Sequence, residues 1–301
     1  MKRSWRSTLH AWLYLSPAFL IVAFFCLYPT FKAFDVSLYT EYDYYRDIVW
    51  DRGLGNFRLL LLDPTFGRAL RNTIILVVTA VPVSILLSLG IAYALHRRRM
   101  FGEWLRTAFF LPLVTSILAV SMSWRWMFHT EYGIVNTALQ AIGAEPVGWL
   151  TSPKWALPSL IVFAVWHSLG LNILLLLVGM QAIPPQYDEA ARMEGASVWQ
   201  RLTHITLPLL SPVFYYVLLG AILRACLTFD EVYALFGGSR AGPMDRALTV
   251  SYYIFRKFYT EADYGIASAA ACVLMILLSA ISLLLIYRYV RISSLLQEGK
   301  L

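Results

Sequence analysis

The sequence predicts an all-α membrane protein: six transmembrane helices in one domain spanning 1–301, both termini cytoplasmic, with a short cytoplasmic helix between spans four and five. Three observations predict it. The chain is 59% hydrophobic and 14% charged over 301 residues, whereas a soluble domain runs near half apolar and a quarter charged. Its apolar residues come in runs long enough for the ~20-residue helices that cross a bilayer. Its basic residues favour one set of alternate connections, as the positive-inside rule requires.

The spans fall at about 11–33, 69–95, 107–127, 155–179, 211–235 and 264–289. The first follows Lys2, Arg3 and Arg6 and could pass for a signal peptide. Its apolar run from Ala11 to Phe31 is too long, and no A-x-A site follows, so it reads as an uncleaved anchor. Pro17, Pro82 and Pro112 lie within spans, which membrane helices tolerate when neighbouring groups satisfy the freed carbonyls. An even number of crossings returns both termini to one side. Counting Lys32, Arg71 and Arg288 at the span ends with the side they adjoin, the N-terminus, the 96–106 loop, the 180–210 loop and the C-terminal tail carry twelve Lys/Arg against five Asp/Glu; the opposite segments carry eleven of each. Arg97–Arg98–Arg99 is the strongest block, and its side is read as cytoplasmic. Trp12, Tyr14, Tyr28, Trp104, Trp124, Trp126, Trp155, Tyr287 and Tyr289 sit near span ends, as an interfacial aromatic belt would.

The net charge of +7 is therefore a topology signal, and no basic patch interleaved with aromatics suggests nucleic acid. Cys26, Cys226 and Cys272 are scattered through apolar stretches and read as small core residues, with no metal-ligand spacing. No G-x-x-x-x-G-K-[ST], H-E-x-x-H or G-x-S-x-G occurs, so the chain carries no familiar hydrolytic motif.

The connection 181–212 is unusually organised. Pro184 and Pro185 stop the preceding helix, Tyr187 to Glu194 favour a new one, and Gly195 offers a C-terminal cap. A second run, Ser197 to Thr206, is expected to end at Leu207–Pro208. Glu189 projects an acid and Ala190 and Ala191 keep a close-fitting face, so the helix suits docking into a partner's groove. An amphipathic linker lying on the headgroups fits the same residues.

Charged side chains inside spans are costly, roughly 2.5–3.5 kcal/mol at mid-bilayer. Arg125 near the end of span three reads as snorkelling to the interface. In span five, Arg224, Thr228 and Glu231 are spaced to share one helical face, with Asp230 beside them. That face suits a polar path through the bundle; a structural ion pair is the plainer reading. His167 is the one histidine deep in a span, and such a residue is more often packed than a ligand.

The loop residues Glu189–Ala190–Ala191, Gly195–Ala196, Ile205 and Leu207–Pro208 resemble the EAA loop of ABC importer permeases, with Glu194 in place of the usual aspartate. Leu15–Ser16–Pro17 to Tyr28–Pro29, Gly53–Leu54–Gly55–Asn56–Phe57, Asn72–Thr73, Gly133–Ile134–Val135–Asn136, Trp149–Leu150, Gly237–Gly238, Gly242–Pro243 and Tyr264–Gly265–Ile266–Ala267–Ser268–Ala269 resemble the carbohydrate (maltose/glycerol-phosphate-type) branch of that family. The resemblance implies a coupling helix seated on an ATPase subunit, carried by Glu189, Ala190, Ala191, Glu194, Gly195, Ala196, Leu207 and Pro208. It implies a solute path at His167, Ser168, Arg224, Leu227, Thr228 and Glu231. It implies a multi-pass permease of the bacterial inner (plasma) membrane that is no enzyme, binds no cofactor or metal and leaves ATP and Mg to the ATPase. The implied partners are a second permease, an ATP-binding subunit dimer, an extracytoplasmic solute-binding protein and membrane lipid. Di- or oligosaccharides, polyols and glycerol phosphates are the implied solutes. Two rivals stand: an ion-gradient-driven transporter relaying protons through Asp230, Glu231 and His167, and an intramembrane enzyme using Arg224, Glu231 and His167.

Overall fold

The computed structural model describes residues 5–43, 46, 48–97, 107–109, 111, 113–238 and 240–297. The chain divides into two compact units, Met1–Pro64 with Ile254–Ile276, and Thr65–Tyr253 with Leu277–Leu301. Arg98, Arg99, Trp104 and Pro112 lie outside the described residues.

The first unit opens with helices α1 (Trp5–Val22) and α2 (Tyr28–Ser37), joined through a widened π turn at Ala23–Leu27. Pro29 lacks an N–H and its ring would crowd the carbonyl of Phe25, four residues back; the wider turn makes room there. Within Trp12–Ser37 the apolar window is wholly unburied in the chain, as expected of a helix whose solvent is lipid. An antiparallel hairpin follows, β1 (Tyr39–Asp43) with β2 (Ile48–Arg52), so the all-α expectation needs one small correction. The hairpin base is held by polar groups rather than by strand patterning. The Tyr39 hydroxyl donates to the Asp35 carboxylate, which pushes the phenol pKa up. The Arg52 guanidinium lies 4.9 Å from the Tyr39 ring centroid and 3.4 Å from Asp35 Oδ1. Helix α3 (Gly55–Leu62) then brings in Asn56, whose amide donates to Ser37 O at 3.1 Å and Tyr39 O at 2.8 Å. Gly265 sits against that amide, where a Cβ would fall 2.6 Å from Asn56 Nδ2. Two of the sequence motifs thus meet at one buried asparagine.

The second unit holds α4 (Pro64–Arg97), α5 (Ile117–Met127), α6 (Ile134–Ala141), α7 (Ala156–Gln181), α8 (Pro185–Met193), α9 (Val198–Arg201), α10 (Leu207–Cys226), α11 (Asp230–Phe236), α12 (Val250–Phe255) and the end of α13 (Tyr264–Gln297). Its core joins α4, α7 and α10 through Val81, Ile85, Leu176, Met180, Leu210 and Val217. Small residues set the spacing: a Cβ on Gly179 would fall 2.7 Å from Leu210 Cδ1. Trp124 lies half-buried between α5 and α7, 5.7 Å from Phe163 and 5.2 Å from Trp166. Asn136 is fully buried and makes four hydrogen bonds, donating to Thr130 O and Val147 O at 2.9 Å and accepting from Val147 N at 3.0 Å and Trp149 Nε1 at 2.9 Å. Asn72 donates to Arg246 O and Leu248 O at 3.1 and 3.0 Å, and Thr73 Oγ1 accepts from Val250 N at 3.0 Å.

Among the described residues, five helices are long and apolar enough to cross a membrane: Trp12–Ser37, Pro64–His96, Ala156–Gln181, Val198–Cys226 and Tyr264–Arg291. The expected third span, 107–127, is helical at 107–109, 111 and 113–114, then breaks at Ser116 (ψ 126) before α5. Span five departs most from expectation. Helix runs unbroken from Val198 through a π turn at Leu202–Thr206 into α10, so Leu207–Pro208 does not end it. The carbonyl that Pro208 would crowd belongs to His204, inside the wide turn. At its other end α10 stops at Cys226, nine residues short of the expected 235.

Candidate functional site

The stop at Cys226 builds the site. Leu227 caps α10 with φ −92 and ψ 11, Phe229 turns to φ −129 and ψ −58, and α11 opens at Asp230. Arg224, Thr228 and Glu231 therefore do not share one continuous helical face, as their spacing suggested. The cause lies in the residues between: two adjacent carboxylates are costly within an apolar helix but stabilised in a helix's first turn. Thr228 stitches the break. Its hydroxyl donates to Arg224 O at 3.2 Å and its carbonyl accepts from Thr249 Oγ1 at 2.7 Å, so backbone groups released by the break find partners.

Beside the break lies a cavity of about 260 Å³. His167 and Ser168 of α7 line it together with Arg224, Leu227, Thr228 and Glu231, so the six residues expected on a solute path come together. Asp230 and Ser84 join them. Arg224 is not paired with Glu231. Its Nη2 donates to Asn172 Oδ1 of α7 at 2.7 Å, and Asn172 is fully buried. Arg224 Nε and Asn172 Nδ2 are buried with no hydrogen-bond partner. The His167 ring lies parallel to Phe163 at 5.9 Å, and Ser168 Oγ donates to Val165 O at 2.9 Å. The cavity thus offers a guanidinium donor, two carboxylate acceptors and apolar walls, a set suited to hydroxyl-bearing solutes. Arg125 does not simply reach outward: its Nη1 would lie 3.1 Å from a Cβ on Gly237, which caps α11 at φ +83, so its charge meets that helix's C-terminal end.

The second candidate surface is the loop after α7. Pro185 takes the first position of α8, where its missing N–H costs nothing. Gly195 at φ +78 ends the helix, with Ala196 N donating to Ala191 O at 2.9 Å and Gly195 N to Arg192 O at 3.1 Å. Ser197 and Gln200 then form a reciprocal capping box that starts α9. Glu189, Ala190, Glu194 and Gly195 are exposed, and Met193 is 91% exposed. Ala191, Ala196 and Leu207 are half-buried, and Pro208 is exposed on the continuing helix. The turn is locked from within: Arg201, 5% exposed, donates through Nη1 to both Asp188 oxygens at 2.9 and 2.8 Å.

Residues 84–291 match the family of binding-protein-dependent transport system inner membrane components. The chain belongs to that family. The lactose transport system permease protein LacF of Rhizobium radiobacter is 34% identical over 283 residues, 92% of this chain and 93% of that one. The trehalose/maltose transport system permease protein MalF of Thermococcus litoralis is 30% identical over 276 residues, 92% of each chain. A solved bacterial ABC transporter involved in the import of the acidic polysaccharide alginate superposes with TM-score 0.79 over 95% of this chain and 98% of that one. At 24% identity that likeness shows the fold. This permease is a multi-pass inner-membrane component of binding-protein-dependent import.

Two residues of the permease escaped sequence reasoning. Asn172 carried a readable signal, a side-chain amide in the middle of an apolar run. Arg201 carried none, because its partner Asp188 lies thirteen residues back across a turn.

Proposed function

We propose that this permease is one of the two membrane-spanning subunits of an ATP-driven importer, forming with a second permease the pathway for a sugar. The solute is a di- or oligosaccharide, or a related polyol or glycerol phosphate, handed over by an extracytoplasmic binding protein. The observation that carries this reading is the convergence of Arg224, Thr228, Glu231, His167, Ser168 and Leu227 on one cavity beside the break in span five. A cavity of about 260 Å³ is small for a whole oligosaccharide, consistent with a path whose other wall is a second permease. The chain acts as a single permease domain of six spans, 107–127 being the third, with both termini cytoplasmic.

The exposed α8 supports the coupling role. Glu189, Ala190, Ala191, Glu194, Gly195 and Ala196 form a docking knob, and Leu207–Pro208 lead its motion into α10. An ATP-binding subunit dimer receives the knob and supplies the ATP and Mg chemistry; this chain hydrolyses nothing. Closure of that dimer moves the knob, and rigid helices carry the motion to the outer gate.

The test is co-purification in mild detergent of the ATP-binding subunits with wild type, Glu189→Lys and Gly195→Trp chains, alongside uptake in vesicles. A complex with wild type that both substitutions weaken supports the reading. ATP-independent uptake by the chain alone would refute it in favour of an ion-gradient carrier using Asp230, Glu231 and His167.

A further inference from the structure

Where α4 begins, a second cavity of about 520 Å³ collects Arg68, Arg71, Lys154 and Arg246. No acidic side chain lines it, and among the described residues none of the four cations makes an ion pair. Its remaining walls include Ile75 and Leu157. We propose that this pocket binds the phosphodiester headgroup of an anionic phospholipid.

The frame places two of the four exposed cations, Arg246 through its backbone and Arg68 through its side chain. Asn72 pins the Arg246 carbonyl at 3.1 Å, and Arg68 Nη1 donates to Met244 O at 3.3 Å. Asp245, the acid next to Arg246, turns its carboxylate to the Ala241 amide at 3.3 Å. Four like charges gathered around one concavity repel each other, and an anion in their midst relieves that repulsion. Phosphate oxygens suit such a cradle, since each accepts charge-assisted bonds from arginine forks.

Depth distinguishes a lipid from a free phosphate. Helix α4 has 34 residues, so it is roughly 50 Å long against a hydrocarbon core of about 30 Å, and its first turns stand in the headgroup layer. Ile75 lies four residues beyond Arg71, about 6 Å further along α4, and Leu157 lies in the first turn of α7, just past the turn that carries Lys154. Cations over apolar side chains match a headgroup over its acyl chains. In the proposed topology this is the outer face, where Lys and Arg are disfavoured. A bound anionic lipid accounts for four of them there.

The test uses the whole purified transporter in nanodiscs of phosphatidylcholine with or without one-fifth phosphatidylglycerol. Retained phosphatidylglycerol is counted per complex by native mass spectrometry. Wild type is compared with Arg68→Gln/Lys154→Gln, with the fourfold Gln variant, and with the charge-keeping Arg68→Lys/Arg71→Lys/Arg246→Lys. Retention is expected to weaken about fivefold per cation removed and to survive in the charge-keeping variant. Equal retention by wild type and the Gln variants would overturn the proposal. So would protection of the wild type by millimolar inorganic phosphate alone, which would make this a free-anion site. Loss of binding-protein affinity with unchanged lipid retention would make it a protein-docking face and also overturn it.

Discussion

The Asp188–Arg201 pair decides how firmly the α8 turn is held. Arg201's side chain is 6% exposed and Asp188's 53%, so the pair is asymmetric. Asp188→Asn removes the charge while keeping shape, and leaves a guanidinium buried whose Nε already lacks a partner. Stranding one member of a fully buried pair costs about 3–5 kcal/mol. Asp188 is half in water, so we expect about 2 kcal/mol, discounted for screening. That raises the open population of 185–206 roughly thirtyfold, which hydrogen exchange reads as faster amide exchange in that segment alone. Arg201→Met should cost less, since the freed Asp188 rehydrates. The double variant should then resemble Arg201→Met, so the cycle does not add. Unchanged exchange in Asp188→Asn, or strict additivity in the cycle, refutes the argument.

Asn136→Ala leaves Val147 N–H and Trp149 Nε1–H without their shared acceptor. At about 1–3 kcal/mol for each stranded group, we expect a loss of about 3 kcal/mol and a thermal midpoint roughly 5 °C lower by size-exclusion melting. Gly133→Ala puts a Cβ 2.3 Å from His129 O and 2.5 Å from Met127 O, so no folded protein should be recovered in the membrane fraction. Gly195→Ala forces a side chain into φ +78 with open space around it, so it should cost only about 1 kcal/mol and loosen the loop without unfolding the chain.

Much of this permease was legible because lipid imposes length and apolarity on any helix it surrounds. The runs near 69–95, 155–179 and 264–289 each became a long helix, extended by a few residues where polar ends leave the hydrocarbon. The motif residues were visible as patterns, but their physical work was not. Asn56 and Asn72 bind backbone carbonyls far away in sequence, Asn136 ties the Thr130 and Val147 carbonyls on either side of its helix, and nothing local in an N-F, N-T or V-N pair foretells that. The hairpin at Tyr39–Arg52 was missed because its strands alternate too briefly, and Asp35, Tyr39 and Arg52 join only once it is folded. Span five was misread at both ends for opposite reasons. Pro208 looked like a breaker but is absorbed by a π turn, whereas Leu227–Thr228–Phe229 looked helical but is a break. Residue type alone does not distinguish a proline that a wide turn shelters from one that ends a helix.

The break also exposes a tension that function can explain. Arg224 and Asn172 share one hydrogen bond of 2.7 Å, yet each keeps a buried donor unused. A half-satisfied polar pair inside an apolar bundle is a poor stabiliser, and apolar replacements of similar size are often neutral or stabilising. Asn172→Leu/Arg224→Met should therefore melt at or above the wild-type temperature. If the pair exists to offer donors to a solute's oxygens, the same variant should lose uptake at least about tenfold, the worth of one charge-assisted bond. Arg224→Met alone should lose uptake equally while stranding Asn172 and melting lower. A double variant that is more stable and still transports refutes a solute role for Arg224. A double variant that is less stable means that the pair holds α7 to α10 and that its spare donors are incidental.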